Sequence, residues 1–407
     1  MDVERPEDVR MKRLLREILD GEFGPHPEWS SSPAAQVVLS PPASRLWPLV
    51  RASRYLAIAA LLALAAFTAL LVAGALRPAP SEPTGVLAIT DPAGLDFAAW
   101  NGSDRRPIVT DGPAFNPAWS WDGSRLAIFQ VTDEDPNLLR VLTPDGSVAF
   151  EMLGVFQLRW QKAGASIAIA DPSNRIRVVS PAGEPGPPLI QPSPQYSGLG
   201  FDWSPDGLRI VMATCANCDV TGSTGPPVFQ LWFIDPSIGP PTRLVGERAD
   251  RAEDGGHSPV WSPDGRSIAY VVPGCPDGTC AGSIRIVDAA TGERRAEIED
   301  LRGPADPAWS PDGRRIAYVA EPAEDAGPLG RSDLYVTTSD MRTTVQLTAG
   351  PEGDVLPLWD AAGDWLMFRR AIAGDRPRTE IWATRPDGSE ARRVVDDSHG
   401  AAWQPLP

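Results

Sequence analysis

The chain has 407 residues, with 37 Lys and Arg against 53 Asp and Glu, for a net charge of −16. Residues 1–54 hold eight basic and eight acidic side chains, so the whole acidic excess lies beyond them. That part of the chain therefore lacks the basic surface that nucleic acid or anionic lipid selects.

The first predicted element is a short amphipathic helix from about Pro6 to Asp20. Met11, Leu14, Leu15, Ile18 and Leu19 share one face, Arg10, Lys12, Arg13 and Arg16 spread over the rest, and Gly21 ends it. Such a helix lies on a membrane surface or docks a partner. Residues 24–48 are rich in Pro and Ser and read as a flexible linker. Tyr55 to Leu76 then run for 22 residues without a charge. As a helix this segment is about 33 Å long, enough to cross the hydrocarbon layer. Arg45, Arg51 and Arg54 precede it with no acid among them, whereas Arg77 and then Glu82 follow. The positive-inside bias puts residues 1–54 in the cytoplasm and everything after the anchor outside. A cleaved signal at Ala73-Gly74-Ala75 is the competing reading; a 54-residue leader and so long an apolar run count against it.

After a linker at 77–84, residues 85–407 repeat one phrase. Its cleanest copy is Ala308 to Tyr318, AWSPDGRRIAY; others are WSPDGRSIAY at Trp261, DWSPDGLRIV at Asp202 and AWSWDGSRLAIF at Ala118. Worn copies lie at Arg159–Ala170 and Leu358–Phe368, and a fragment at Ala402–Pro405 closes the chain. The marker tryptophans, Trp119, Trp160, Trp203, Trp261, Trp309, Trp359 and Trp403, are 41, 43, 58, 48, 50 and 44 residues apart. A period of roughly 40–50 residues is that of a propeller blade. Within one unit, Pro-Ala-Trp-Ser is a short strand and Pro311-Asp312-Gly313 a turn. Arg315–Ala320, Asp333–Thr338 and Thr344–Thr348 are three further strands. The spacing predicts an all-β, seven-bladed β-propeller, with six blades if Trp160 marks a degenerate insertion. Trp403 should join Gly85–Thr90, Leu95–Trp100 and Arg106–Thr110, so that the two ends of the domain close one blade and leave no open edge. The tryptophans are expected to pack between blades, and the repeated Asp-Gly to serve turns, since no segment has the alternating acids of a calcium loop.

Chemistry is sparse. Cys215 and Cys218 form one close pair, Cys275 and Cys280 another, in equivalent loops of adjacent units. An even number of cysteines in an exported domain favours local disulfides. Cross-pairing and a four-thiolate zinc site are the alternatives. His257 and His399 each stand four residues before a marker tryptophan, and with Asp306 and Asp354 they should line one mouth of the central channel. These four are the candidate binding residues. No catalytic residue is assigned: a nucleophile elbow, a phosphate-binding glycine loop and an HExxH zinc motif are all missing from the sequence, and no cofactor or metal is called for.

The WSPDGR copies resemble the WD40-like PD40 repeats of TolB and of the propeller halves of prolyl-oligopeptidase-type peptidases. The resemblance covers about residues 85–407. It implies a propeller, and for TolB-like proteins a periplasmic scaffold of envelope complexes. It implies no activity, because the chain lacks room for TolB's N-terminal α/β domain or for a hydrolase domain. The reading is a single-pass membrane protein whose extracytoplasmic propeller binds an envelope protein, a polysaccharide or a small ligand. An exported lyase- or glycosidase-type enzyme and a transmembrane sensor are the rivals.

Overall fold

The computed structural model describes Glu82 and residues 85–405, apart from 133–136, 163, 174, 190–195, 217–227, 238–241, 246–256, 273–280, 323–330 and 373–377. Two compact units divide the chain, Met1–Arg77 and Pro78–Pro407. The expected amphipathic helix, the linker and the Tyr55–Leu76 segment all lie outside the described residues.

Every regular element among the described residues is a strand. In chain order they are β1 (Val86–Asp91), β2 (Gly94–Ala99) and β3 (Arg106–Val109), then β4 (Ala114–Trp119), β5 (Leu126–Gln130), β6 (Leu138–Leu142) and β7 (Val148–Met152). Next come β8 (Gln157–Trp160), β9 (Ile167–Ala170) and β10 (Ile176–Val179), followed by β11 (Tyr196–Trp203), β12 (Ile210–Ala216), β13 (Val228–Ile234) and β14 (Thr242–Val245). After them stand β15 (His257–Trp261), β16 (Ser267–Val272), β17 (Gly282–Asp288), β18 (Arg294–Trp309), β19 (Arg315–Glu321), β20 (Asp333–Thr338) and β21 (Thr344–Gln346). The last are β22 (Gly353–Trp359), β23 (Leu366–Ile372), β24 (Arg378–Thr384), β25 (Arg392–Val395) and β26 (Gly400–Trp403).

These strands form antiparallel sheets in simple meander order, β4 to β7, β8 to β10, β11 to β14 and β22 to β25. A seven-stranded sheet runs from β15 to β21, because β18 serves twice. Its first half pairs with β17 and its second half with β19. The remaining sheet has the order β26-β1-β2-β3. Leu87 faces Trp403 and Thr90 faces Gly400, so the tail of the chain supplies the innermost strand beside its own beginning. The amide of Gln404 extends this ladder to the Val86 carbonyl at 2.8 Å.

The arrangement is a propeller, and its cause is visible along each second strand. Successive side chains point to opposite sheet faces, and both faces are covered. On β5, Leu126 and Ile128 pack with Leu95, Phe97 and Ala402 of the preceding sheet, while Ala127 packs with Trp160 and Ile167 of the following one. Such alternation continues round to Trp365 and Met367, which bury against Leu87, Ile89 and Trp403. No sheet could hide both faces alone; each depends on two neighbours.

The marker tryptophans lock this stacking. The indole N–H of Trp160 donates to the Ala118 carbonyl at 2.8 Å, and that of Trp203 to Arg159 at 3.1 Å. Trp119, Trp309 and Trp359 reach Ala402, Val260 and Ala308 in the same way. Each acceptor is the residue just before the previous unit's tryptophan. The Ser-Pro-Asp-Gly turns are equally regular. Ser310 Oγ donates to Asp312 at 2.6 Å and accepts the Arg315 amide at 2.9 Å, and Gly313 supplies the φ of 68° the turn requires. In the worn copy at Trp359, Asp360 takes over the serine's task, accepting the amides of Asp364 and Trp365.

The sheet around Trp160 has three named strands. Residues 185–189 still follow β10 through Gly186 and Leu189 amides bonded to Val178 and Ile176 carbonyls. Pro185, Pro187 and Pro188 have no N–H to offer, so a regular fourth ladder cannot form.

Candidate functional site

Strand direction sorts the propeller's two ends. Inner strands such as β15 and β22 run toward the Ser-Pro-Asp-Gly turns, so those turns and the tight turns between third and fourth strands share one end, here the turn end. Connections into the inner strands, and those between second and third strands, share the opposite, loop end. Because β1 is antiparallel to β26, Val86 lies with Trp403 at the turn end, where the domain both begins and finishes.

At the loop end four of the inner strands, β4, β15, β18 and β22, open on a bulge of one kind. Asn116, Ser258, Asp306 and Leu356 have φ of 48°, 52°, 52° and 55°, and the ladder slips at each of them. All four stand three residues before a marker tryptophan and directly before a proline. The extra residue is left out of the pairing, and the proline has no donor to orphan. For Leu356 this left-handed conformation costs about 1–2 kcal/mol.

The candidate residues sit on or beside these bulges. His257 Nδ1 is 3.1 Å from the Ser258 hydroxyl. Burial pushes the His257 pKa below its ordinary value, and the negative charge of Asp306 on the next inner strand opposes that shift. Asp306 Oδ2 accepts the Leu356 amide at 3.1 Å. Three consecutive inner strands, β15, β18 and β22, are thus linked in series. Leu356 and Leu358, 48% and 40% exposed, form an apolar surface beside the pair.

His399 belongs to a different seam. Its Nδ1 lies 3.1 Å from the Ala114 carbonyl, and its ring stacks on Phe115 at 4.3 Å and 6°. A carbonyl only accepts, so Nδ1 carries the proton in this contact. Asp354 is placed differently again. It is 1% exposed and takes two hydrogen bonds from Arg370, at 2.7 and 2.8 Å. The Arg370 guanidinium lies over the Trp382 ring at 4.7 Å, and the Asp354 hydrogen bonds hold its pKa above the ordinary value. Two further buried carboxylates flank the pair. Asp333 contacts Arg331 at 3.1 Å and Gln346 at 2.9 Å; burial raises its pKa against the pull of Arg331. Glu380 accepts from Trp382 Nε1 at 2.9 Å and Arg378 at 3.0 Å.

The structure therefore places His257 and Asp306 on adjacent inner strands, within electrostatic reach but joined by no hydrogen bond or ion pair, holds His399 two seams beyond Asp306, and commits Asp354 to Arg370. A neutral, half-buried imidazole beside a carboxylate can accept a proton or bind a polar ligand. Sequence reasoning missed Ser258, Phe115 and Arg370. The X-Pro-X-Trp spacing signals the bulge that places Ser258; no comparable signal marks Phe115 or Arg370. Cys218, Cys275 and Cys280 lie outside the described residues, and Cys215 is placed only by its backbone in β12, opposite Ser197 and Phe229.

No family model matches the sequence, and none of the curated proteins matches it significantly. Solved structures do match. An oligogalacturonate lyase in complex with manganese is 15% identical, over 78% of this chain and 86% of that one, with a TM-score of 0.55. A structure from a study of two prolyl endopeptidases is 12% identical over 80% of this chain and 50% of its own, at 0.56. TolB from Acinetobacter baumannii is 18% identical over 82% and 70%, at 0.46. Among the described residues here, no three His, Cys, Asp or Glu side chains gather to hold a metal ion. At these identities the likeness is one of fold, and that fold is the β-propeller implied by the repeated WSPDG units.

Proposed function

We propose that this chain is a single-pass membrane protein whose extracytoplasmic propeller presents its loop end as a binding platform of the cell envelope. Its count is seven blades, taking the β15–β21 sheet as two that share β18. The observation that carries the reading is the polarity of the domain. The chain enters β1 and leaves β26 at the turn end, whereas His257, Asp306 and His399 stand at the opposite end, where the side chains differ from unit to unit. Tyr55–Leu76 is the anchor, with residues 1–54 cytoplasmic, and the two cysteine pairs are disulfides of the loop end. The acidic exported part suits a cationic ligand, a basic protein patch or a neutral polysaccharide. A photo-cross-linker at position 399 should capture an envelope component that the same group at Ser147, on the turn end, does not. Equal capture from both positions would reject the platform.

A second reading, an exported lyase- or glycosidase-type enzyme, is favoured by one observation: a half-buried imidazole with a serine hydroxyl 3.1 Å away, on the inner strand next to that of Asp306. Under it, His257→Ala or Asp306→Ala abolishes turnover of an acidic oligosaccharide while thermal unfolding is little changed. Binding without turnover in the unaltered protein would leave the platform alone.

A further inference from the structure

Successive units serve as internal controls for one another. Six residues after Trp203 and Trp309 stand Arg209 and Arg315, and each guanidinium lies over the next marker tryptophan, 5.2 Å from the centre of the Trp261 ring and 4.9 Å from that of Trp359. Six residues after Trp261 the chain has Ser267 instead. Among the described residues no cation lies over Trp309, the tryptophan that follows. The consequence is visible in burial: the other six marker tryptophans are buried, whereas Trp309 is partly exposed. Ser166 is the same replacement in the unit of β8–β10, yet Trp203 behind it stays buried. Only at Trp309 does the missing arginine leave a marker ring open.

A cavity of about 310 Å³ occupies that place at the turn end, and Trp309 lines it. The volume is at the lower end of ligand-pocket sizes. Asp264 and Asp340 give it carboxylates, and Ile286 and Ala296 an apolar side. Asp264 spends Oδ1 on its own turn, accepting from Ser262 Oγ at 2.6 Å and from the Arg266 amide at 3.0 Å. Its Oδ2 has no hydrogen bond or ion pair among the described residues. Arg295 reaches the same cavity from β18, but its guanidinium is committed to the Asp288 carboxylate and, at 2.8 Å, to the Ser267 hydroxyl.

We propose that this opening receives one guanidinium, the arginine side chain of a partner chain, laid over Trp309 as Arg209 and Arg315 are laid over Trp261 and Trp359. The indole face attracts the cation. The carboxylates of Asp264 and Asp340 accept its N–H groups, and Ile286 and Ala296 cover its methylenes. Arginine suits the place better than lysine, because a planar guanidinium stacks on a ring. Free arginine carries a carboxylate that these acidic walls and the chain's net charge of −16 repel, so the occupant is a peptide-borne side chain. The site is at the end opposite His257 and stands whether or not the loop end binds a partner.

The test is calorimetric titration of the full chain in detergent micelles with N-acetyl-arginine methylamide, its citrulline counterpart and free arginine. The blocked arginine is expected to bind at least about tenfold more tightly than the citrulline compound, which has nearly the same shape without the charge. Ser267→Arg restores the residue that the units on either side carry, and should weaken that binding more than about tenfold by filling the seam. Asp340→Asn alters an exposed turn residue and should weaken it about threefold with thermal unfolding little changed; this variant carries the test if Ser267→Arg fails to fold. Equal affinity for arginine and citrulline, or no binding of the blocked arginine at about 10 mM, would overturn the proposal. So would binding that both variants leave unchanged, since the guanidinium would then sit elsewhere on the acidic surface. Tighter binding of free arginine than of the blocked form would overturn the assignment to a partner chain.

Discussion

The two ends of the propeller are built on different logics. At the turn end one local device is copied from unit to unit: serine hydroxyl on aspartate, aspartate on its own turn amides, glycine at positive φ. Each turn satisfies itself within six residues, so its stability is local and its sequence repetitive. At the loop end nothing is copied but the bulge. The groups that meet there come from different units, as Asp306 with the Leu356 amide or His399 with Ala114, and their partners are distant in sequence. Repetition marks where the chain solves its own hydrogen bonding; individuality marks where side chains are placed for something else or must be neutralised across a seam.

That contrast can be broken most sharply at Asp354. Asp354→Ala leaves the Arg370 guanidinium buried without its carboxylate, and should cost about 3–5 kcal/mol in urea unfolding. A loss below 1 kcal/mol would show that the loop end does not depend on cross-strand charge pairing. Ser310→Ala removes one turn's internal acceptor and donor, and the expected loss is about 1 kcal/mol; a loss as large as that of Asp354→Ala would erase the distinction between the ends. Leu356→Asn puts a residue tolerant of the left-handed region on the bulge and should raise stability by about 0.5 kcal/mol. Destabilisation there would mean that Leu356 contributes packing outweighing its strain.

The smallest expected effect is on pH dependence. His257 has a folded pKa below the ordinary imidazole value of 6.5, chiefly through burial. The unfolded chain therefore takes up the proton first, and the folded state loses stability as pH falls below about 6.5. Asp288 shifts in the same direction at lower pH: its pKa, lowered to about 2 by the Thr291 and Ala290 amides, keeps its turn intact until much stronger acid. Stability followed by urea unfolding should fall from pH 7 to 5 in the unaltered protein and change less in His257→Gln. Identical pH profiles would show that the loop-end histidine titrates as it does in the unfolded chain.

Much of the fold was legible in the sequence because its signals are short-ranged. The strands Asp333–Thr338 and Arg315–Glu321, the Pro311-Asp312-Gly313 turn and the joining of Trp403 to the first strand all follow from patterns that recur at fixed offsets. The proline run at 185–188 also explains the missing ladder beside β10, although the worn copy at Trp160 did not by itself distinguish an insertion from a unit. Less of the candidate site was legible. Register placed His257 and His399 at one end, yet it could not separate them by seam. Nor could it foresee that Asp354 is enclosed by Arg370 and Trp382.

Read alone, the order of residues determined which segments become strands, where the turns fall and that the units must ring to bury both faces, because hydrophobic alternation and turn chemistry act over a few residues. Only the tertiary structure decided the indole-to-carbonyl contacts between successive units, the double service of β18 and the hydrogen bond from the Leu356 amide to Asp306. Those depend on which face of one sheet meets which edge of the next, a matter of angle and distance between segments some 50 residues apart that no local pattern encodes.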